Sequence, residues 1–323
     1  MFTEITFLIT WFIIGLAIIV FAGEGFVNSA IKIAEIFKLP TLYIGTFLIG
    51  FSTSVPEVIV TYIAAKSGSI DLSIGNVLGS YICNIGYVIG ITAIVKPLKI
   101  STETLSRAIP LLAMSIIITA LLLMIDSKFN QLDGLILLSL FFGYLYLTYR
   151  HIKKNKKRFT RKETHPSSQS QNYIKPCAQF IFFLSLLLIG SELMVNTAQG
   201  IAKAFKVSEL IIGLTIVAMG TSLPELTACI IAVLKNEDDI AVGNVIGSNI
   251  FCLLCVLSIP LLIADPNSIS PEKLWIPLTV MLIITTVLWL FSAKFDKTCQ
   301  ISRVEGIALV FISTLYLIYT MMN

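Results

Sequence analysis

Residues 52–57 read STSVPE and residues 220–225 read GTSLPE, and each hexapeptide lies inside a long apolar run. Further along each copy, residues 75–80 read GNVLGS and residues 243–248 read GNVIGS. Both pairs are 168 positions apart. Keeping that offset over residues 24–84 aligns 61 pairs without a gap, of which 24 are identical. Self-similarity at a fixed spacing is the mark of duplication. The chain is expected to be two homologous halves, and whatever STSVPE does is done twice.

The surroundings of the motif define its solvent. The 323 residues are 56% hydrophobic and 13% charged, with a mean hydropathy of +0.89. A water-facing globular domain carries about 25% charged residues, so most of this chain must face lipid. Ten apolar runs approach or exceed the ~20 residues that span a bilayer as a helix. They cover 5–36, 39–66, 70–96, 105–125, 131–149, 174–205, 207–234, 239–264, 274–293 and 302–322. The first has no basic n-region and no small-residue cleavage pattern, so it reads as a span and not as a signal peptide.

The expected fold class is therefore all-α and polytopic, with ten transmembrane helices. The expected units are a first five-helix repeat (1–149), a basic cytoplasmic linker (150–173, RHIKKNKKRFTRKETHPSSQSQNY) and a second five-helix repeat (174–323). Five spans per half is an odd number, so the second half enters from the opposite side. That makes the halves inverted repeats, an arrangement that puts substrate near the midplane between them. Positive charge marks the cytoplasmic side. With the linker inside, eighteen Lys and Arg fall on that side and five on the other, accounting for all 23. Both termini are then outside. Nucleic acid is not an expected partner, because the basic stretch is accounted for by topology. Both histidines, His151 and His165, fall in the linker, and the six cysteines show no paired metal spacing.

The chemistry follows from placing a carboxylate where it is costly. Glu57 and Glu225 lie far from the ends of apolar helices, and a charge at the bilayer centre costs roughly 3 kcal/mol or more. No Lys or Arg nearby in sequence can pair with them; the simplest partner is a cation. Pro56 and Pro224 remove helical donors from the carbonyls of Ser52 and Gly220. Irregular backbone at this depth is tolerated where it lines a polar cavity or binds an ion. Thr53, Ser54, Thr221 and Ser222 add hydroxyls beside it. In the following span the paired glycines allow close helix approach, which brings in Ser80 and Ser248. Asn84 adds an amide oxygen one turn beyond Ser80. All are hard oxygen donors suited to sodium, calcium or magnesium. Two carboxylates are neutralised by one divalent or two monovalent ions, and competition for that charge is the basis of an antiport. Glu24 and Glu192 are expected to be structural or to line the pathway. Asp71 and Asp239 are expected to be helix caps.

On these motifs the chain resembles the calcium/cation antiporter superfamily, especially the prokaryotic sodium/calcium exchangers, over nearly its whole length. The resemblance implies exchange of sodium for calcium by alternating access, with the first and sixth helices sliding past a core of spans two, three, seven and eight. It implies calcium ligation by Glu57, Glu225 and the carbonyls of Thr53 and Thr221. Sodium sites would be lined by Ser54, Ser80, Ser222 and Ser248 with Asn84, and the backbone at Gly50 and Ala218 matches further carbonyl ligands. One departure is Cys252, the repeat counterpart of Asn84, where such proteins commonly carry Asp or Asn. A thiol is a poor ligand for either ion.

A proton/cation exchanger is the second reading, and the paired Thr-Ser hydroxyls favour sodium over it. An intramembrane hydrolase using Ser54 or Ser222 lacks a base, with no intramembrane histidine and no G-x-S-x-G around either serine. No enzyme activity and no prosthetic group are expected. Calcium and sodium are the expected transported ions, the bilayer the expected environment, a monomer the expected working unit, and a prokaryotic inner membrane the expected location.

Overall fold

The computed structural model describes residues 2–37, 39–68, 70–126, 130–160, 174–204, 218–263, 274–293 and 299–322. The first half begins with α1 (Phe2–Phe37), followed by α2 (Thr41–Thr53) and α3 (Val55–Lys66), two segments that meet at a bend of 42°. Next comes α4 (Ile70–Cys83), which runs on through a wide π-turn at Asn84–Ile89 into Gly90–Val95. The half closes with α5 (Ile109–Asp126) and α6 (Gln131–Thr160).

In the second half, α7 (Ile174–Ala204) is followed by α8 (Ala218–Thr221) and α9 (Leu223–Leu234). Then α10 (Asp238–Phe251) continues through a π-turn at Cys252–Val256 and a last segment, Ser258–Ile263. The chain ends with α11 (Trp275–Ser292) and α12 (Arg303–Met322). Two residues of strand, β1 (Leu98–Lys99), pair antiparallel with β2 (Gln300–Ile301) and tie a loop of one half to a loop of the other.

Among the described residues, eight helices are long and apolar enough to cross a membrane, or nine if the bent α2–α3 pair is one span. The seventh of the ten expected spans lies partly outside the described residues. Its described part holds the short break helix α8 and the apolar helix α9.

The first part of the basic stretch is helical. Helix α6 runs to Thr160, so residues 150–160 are helical and 161–173 lie outside the described residues. The reason is local. RHIKKNKKRFT contains no Gly or Pro, is rich in helix-forming Lys and Arg, and puts positive charge at the C-terminal end of a helix macrodipole. His151 is consequently a helical residue. Its Nε2 lies 2.8 Å from Glu103 Oε1, its Nδ1 contacts Arg107, and the Tyr43 hydroxyl donates to the same Glu103 oxygen at 2.6 Å.

The breaks in α2–α3 and α8–α9 are equivalent. Ser54 has φ −82°, ψ 12° and Ser222 has φ −87°, ψ 4°, each just before a Pro in the first turn of the next helix. Proline fits there because a helix start has no use for its missing N–H. The carbonyl of Gly220, deprived of its helical donor by Pro224, accepts instead from the Ser191 hydroxyl of α7 at 3.0 Å.

Burial sorts the helices into layers. The spans built on α4 and α10 are mostly buried, whereas α1 and α7 mostly face outward. Backbone contact joins α10 to α2. A Cβ on Gly243 would meet the Leu42 carbonyl and the Thr46 nitrogen, and one on Gly247 would meet the Thr46 backbone. This is the close approach that paired glycines permit. Gly75 and Gly79 have no such neighbour among the described residues; the counterpart of α2's contact segment falls in residues 205–217, outside them.

Candidate ion-binding site

The glutamates stand in the first turn of α3 and α9, immediately past the breaks, where the helix N-terminus favours negative charge. Both are fully buried, and each lies close enough to feel the other's charge. Thr53, Ser54, Ser80, Asn84, Thr221, Ser222 and Ser248 are buried too.

The two halves interlock here. Ser54 of the first half donates to Glu225 Oε1 of the second at 3.2 Å. Thr53 Oγ1 reaches Asn244 Oδ1 at 3.2 Å, and Ser248 donates to the Gly50 carbonyl at 2.9 Å. Thr221 lies beside the Glu57 carboxylate. The motif asparagines play matching parts: Asn76 Nδ2 donates to the Glu57 carbonyl at 3.3 Å, and Asn244 Nδ2 to the Glu225 carbonyl at 3.2 Å. Each asparagine thus fixes the turn that carries its glutamate. The repeat comparison flagged both positions without assigning this role.

Among the described residues, nine buried side-chain oxygens have no hydrogen-bond partner. Six belong to residues that the sequence predicts as ion ligands: both oxygens of Glu57, Glu225 Oε2, Ser80 Oγ, Ser222 Oγ and Asn84 Oδ1. Each unpartnered buried polar atom costs about 1–3 kcal/mol, and more if charged. Such a set of buried oxygens is unfavourable unless a cation or ordered water completes it. The predicted ligands are all hard oxygens, although the Cys252 thiol lies beside Ser54 and the Cys83 thiol beside Ser222, and no cluster of three or more His, Cys, Asp or Glu exists among the described residues. That composition fits calcium or sodium better than a thiophilic metal.

Hydroxyl protons have a defined place to go. The Gly50 carbonyl accepts from Ser54 Oγ at 2.9 Å, Ser248 Oγ at 2.9 Å and Thr53 Oγ1 at 3.3 Å. A hydroxyl that donates its proton to a carbonyl keeps its lone pairs for a cation. Ser54 has one proton and two acceptors, Gly50 O and Glu225 Oε1.

Several expected residues fall elsewhere or remain undescribed. Ala218 begins α8, and its side chain lies outside the described set. Glu24 is exposed and pairs with Lys235 at 3.3 Å across the halves, and Glu192 is exposed on α7. Asp239 sits in the first turn of α10, where Glu237 and not Asp239 is the N-cap; the Asp71 side chain is outside the described residues. Cys252 is fully buried beside Ser54, in the field of both glutamates. One buried residue escaped the sequence comparison. Asn249 accepts from Asn84 Nδ2 at 3.0 Å, but its repeat counterpart is Tyr81, so duplication gave no signal for it.

Fold and site together define a polytopic helical membrane protein with two fully buried glutamates among buried hydroxyls and amides that link its two halves. The model of the family described as "Sodium/calcium exchanger protein" matches residues 7–150 and 175–322, and the chain belongs to that family. It is 36% identical to the putative antiporter CaxA of Alkalimonas amylolytica, over 95% of this chain and 97% of that one. It is 26% identical to the sodium/calcium exchanger MaX1 of Methanosarcina acetivorans, over 95% and 96% respectively. Among solved structures, the sodium-calcium exchanger NCX_Mj soaked with 2.5 mM Na+ and 1 mM Sr2+ superposes with a TM-score of 0.80 at 30% identity. That match covers 96% of this chain and 97% of that one. The chain is accordingly an integral membrane protein of a cation-exchange family whose relatives are transporters and not enzymes.

Proposed function

We propose that this chain is a sodium-driven calcium antiporter in which Glu57 and Glu225 jointly hold the transported ions. The observation that carries the reading is that six of the nine unpartnered buried oxygens among the described residues belong to the two glutamates and to other ligand residues that the sequence predicts. Two negative charges match one Ca2+ or two Na+, so either cargo neutralises the cage and excludes the other. Glu57, Glu225, Thr53 and Thr221 would hold calcium. Ser54, Ser80, Ser222, Ser248 and Asn84, with the carbonyls of Gly50 and Ala218, would complete the sodium positions. Hydroxyls that already donate to Gly50 O have their lone pairs free for either ion.

The architecture proposed is ten spans in two inverted five-helix repeats. It is supported by the matching breaks at Ser54 and Ser222 and by the matching π-turns that begin at Asn84 and Cys252. Alternating access would come from α1 and α7 moving as a pair over the fixed core. They cross where Gly15 meets Gly190, and Phe26 packs on Phe180 with centroids 4.6 Å apart. The linker side would be cytoplasmic, with both termini outside. In support, the basic loops assigned to one side do converge: Lys96 donates to Asn236, beside Lys235, while Lys99 pairs with Gln300 and Arg107 meets His151. A single chain holds both halves of the cage, so a monomer suffices. A prokaryotic plasma membrane is proposed as its location.

The test is calcium-45 uptake into proteoliposomes loaded with sodium and diluted into sodium-free medium, at equal pH inside and out. Uptake that requires the outward sodium gradient supports the reading. Uptake that ignores sodium and follows a pH gradient would replace it with proton/cation exchange.

A further inference from the structure

Asn84 is the one amide among the proposed ligands, and an amide can present either oxygen or NH2 to an ion. Only the oxygen serves a cation. What decides its orientation is a chain of two hydrogen bonds anchored on backbone. The Tyr81 carbonyl can only accept, and it faces Asn249 at 3.3 Å, so Asn249 must turn its NH2 toward Tyr81. The Asn249 oxygen then points the other way, at Asn84. Asn84 must in turn offer its NH2, at 3.0 Å, and its own Oδ1 is left facing away from Asn249 with no partner among the described residues. Both asparagines are fully buried. The anchor itself is held. Tyr81 is fully buried, and its hydroxyl shares a 2.8 Å hydrogen bond with Thr285 of α11.

Resting on the reading of Asn84 as an ion ligand, we propose that Asn249 is a positioning residue that sets the amide orientation of Asn84 and so supplies the cage with an oxygen. A flipped Asn84 would put two amide oxygens face to face, losing the bond between them with no replacement. The arrangement also crosses the halves: Asn84 belongs to the first repeat and its orienting residue to the second. In the second half, Cys252 stands in Asn84's place and has no amide to orient. The duplication therefore has no reason to keep an asparagine at Tyr81, the counterpart of Asn249. Residues that orient ligands typically carry roughly 10–100-fold in metal affinity.

The experiment is a double-mutant cycle on the sodium dependence of exchange by the full chain in proteoliposomes, read as calcium-45 uptake with the internal sodium concentration varied. Its variants are Asn249→Leu (near-isosteric, without an acceptor), Asn249→Ala, Asn84→Ala and the combinations. Assembly is checked by size-exclusion chromatography, and Glu57→Gln serves as the control for the site as a whole. Either Asn249 variant alone is expected to raise the sodium concentration that half-drives exchange by roughly ten-fold. In the Asn84→Ala background the same change should add nothing, because no amide remains to be oriented. Effects that multiply in the double variant would overturn the positioning role while leaving the exchanger reading, tested by Glu57→Gln, intact. An unchanged half-driving sodium concentration in Asn84→Ala would remove the ligand and this inference together. Should neither Asn249 variant assemble, a structure of the wild-type protein soaked with Na+ decides. Asn84 bound through its oxygen, with its NH2 still on Asn249, supports the inference; an Asn84 rotated off Asn249 refutes it.

Discussion

Glu57→Gln separates an ion ligand from a residue that merely holds the fold. Glu57 has a second carboxylate in its field and no hydrogen-bond partner for either oxygen. A structural glutamate would stabilise the protein through its partners, and its loss would destabilise. Here the near-isosteric neutral amide removes a charge repulsion, so the variant in chelator should be at least as heat-stable as the wild type. Calcium reverses the order. At free calcium 100 times its Kd the wild type gains about 2.7 kcal/mol. Removing one partner of a buried charge pair costs about 3–5 kcal/mol, which is a factor of at least ~100 in affinity. At the same calcium concentration the variant then gains only about 0.4 kcal/mol or less. The assay is thermal unfolding in detergent followed by fluorescence of Trp11, Trp275 and Trp289, with and without calcium. A variant that is destabilised in chelator, or that keeps the full calcium-induced shift, would refute the reasoning.

Other expectations follow from the same geometry. Cys252→Ser replaces a soft donor beside Ser54 by a hard one, and the calcium KM measured by tracer uptake should fall. Calcium binding requires both carboxylates ionised, so acidification should weaken it and binding should release protons; calorimetry in buffers of different ionisation enthalpy reads that release. Gly247→Ala drives a methyl into the Thr46 backbone and should cost about 1–3 kcal/mol, seen as a lower unfolding temperature with or without calcium. Lys235→Ala breaks an exposed pair with Glu24 and should change stability by no more than about 1 kcal/mol, within a degree or two in the same assay.

Legibility in the sequence tracked how local each determinant is. The apolar runs, the breaks before Pro56 and Pro224 and the two buried glutamates are local facts, and duplication doubled their signal. Charge density alone does not reveal the helical course of residues 150–160, although nothing in those residues stops a helix. The close packing of Gly243 and Gly247 was readable as a small face, but its partner, α2 of the opposite half, was not. Asn249 was invisible for a different reason. Its role depends on a contact between halves, and repeat comparison finds only what the halves share. Cys252 was visible as an asymmetry, and its placement beside Ser54 needed three dimensions.

The central claim is that one doubly acidic cage serves both ions. The measurement that tests it most directly is equilibrium binding of calcium-45 to the purified protein, titrated with sodium, for wild type, Glu57→Gln and Glu225→Gln. The account predicts that sodium displaces calcium from the wild type, and that either substitution alone removes calcium binding in the same concentration range. Calcium that binds undiminished in both variants, or stays bound at saturating sodium, would contradict it.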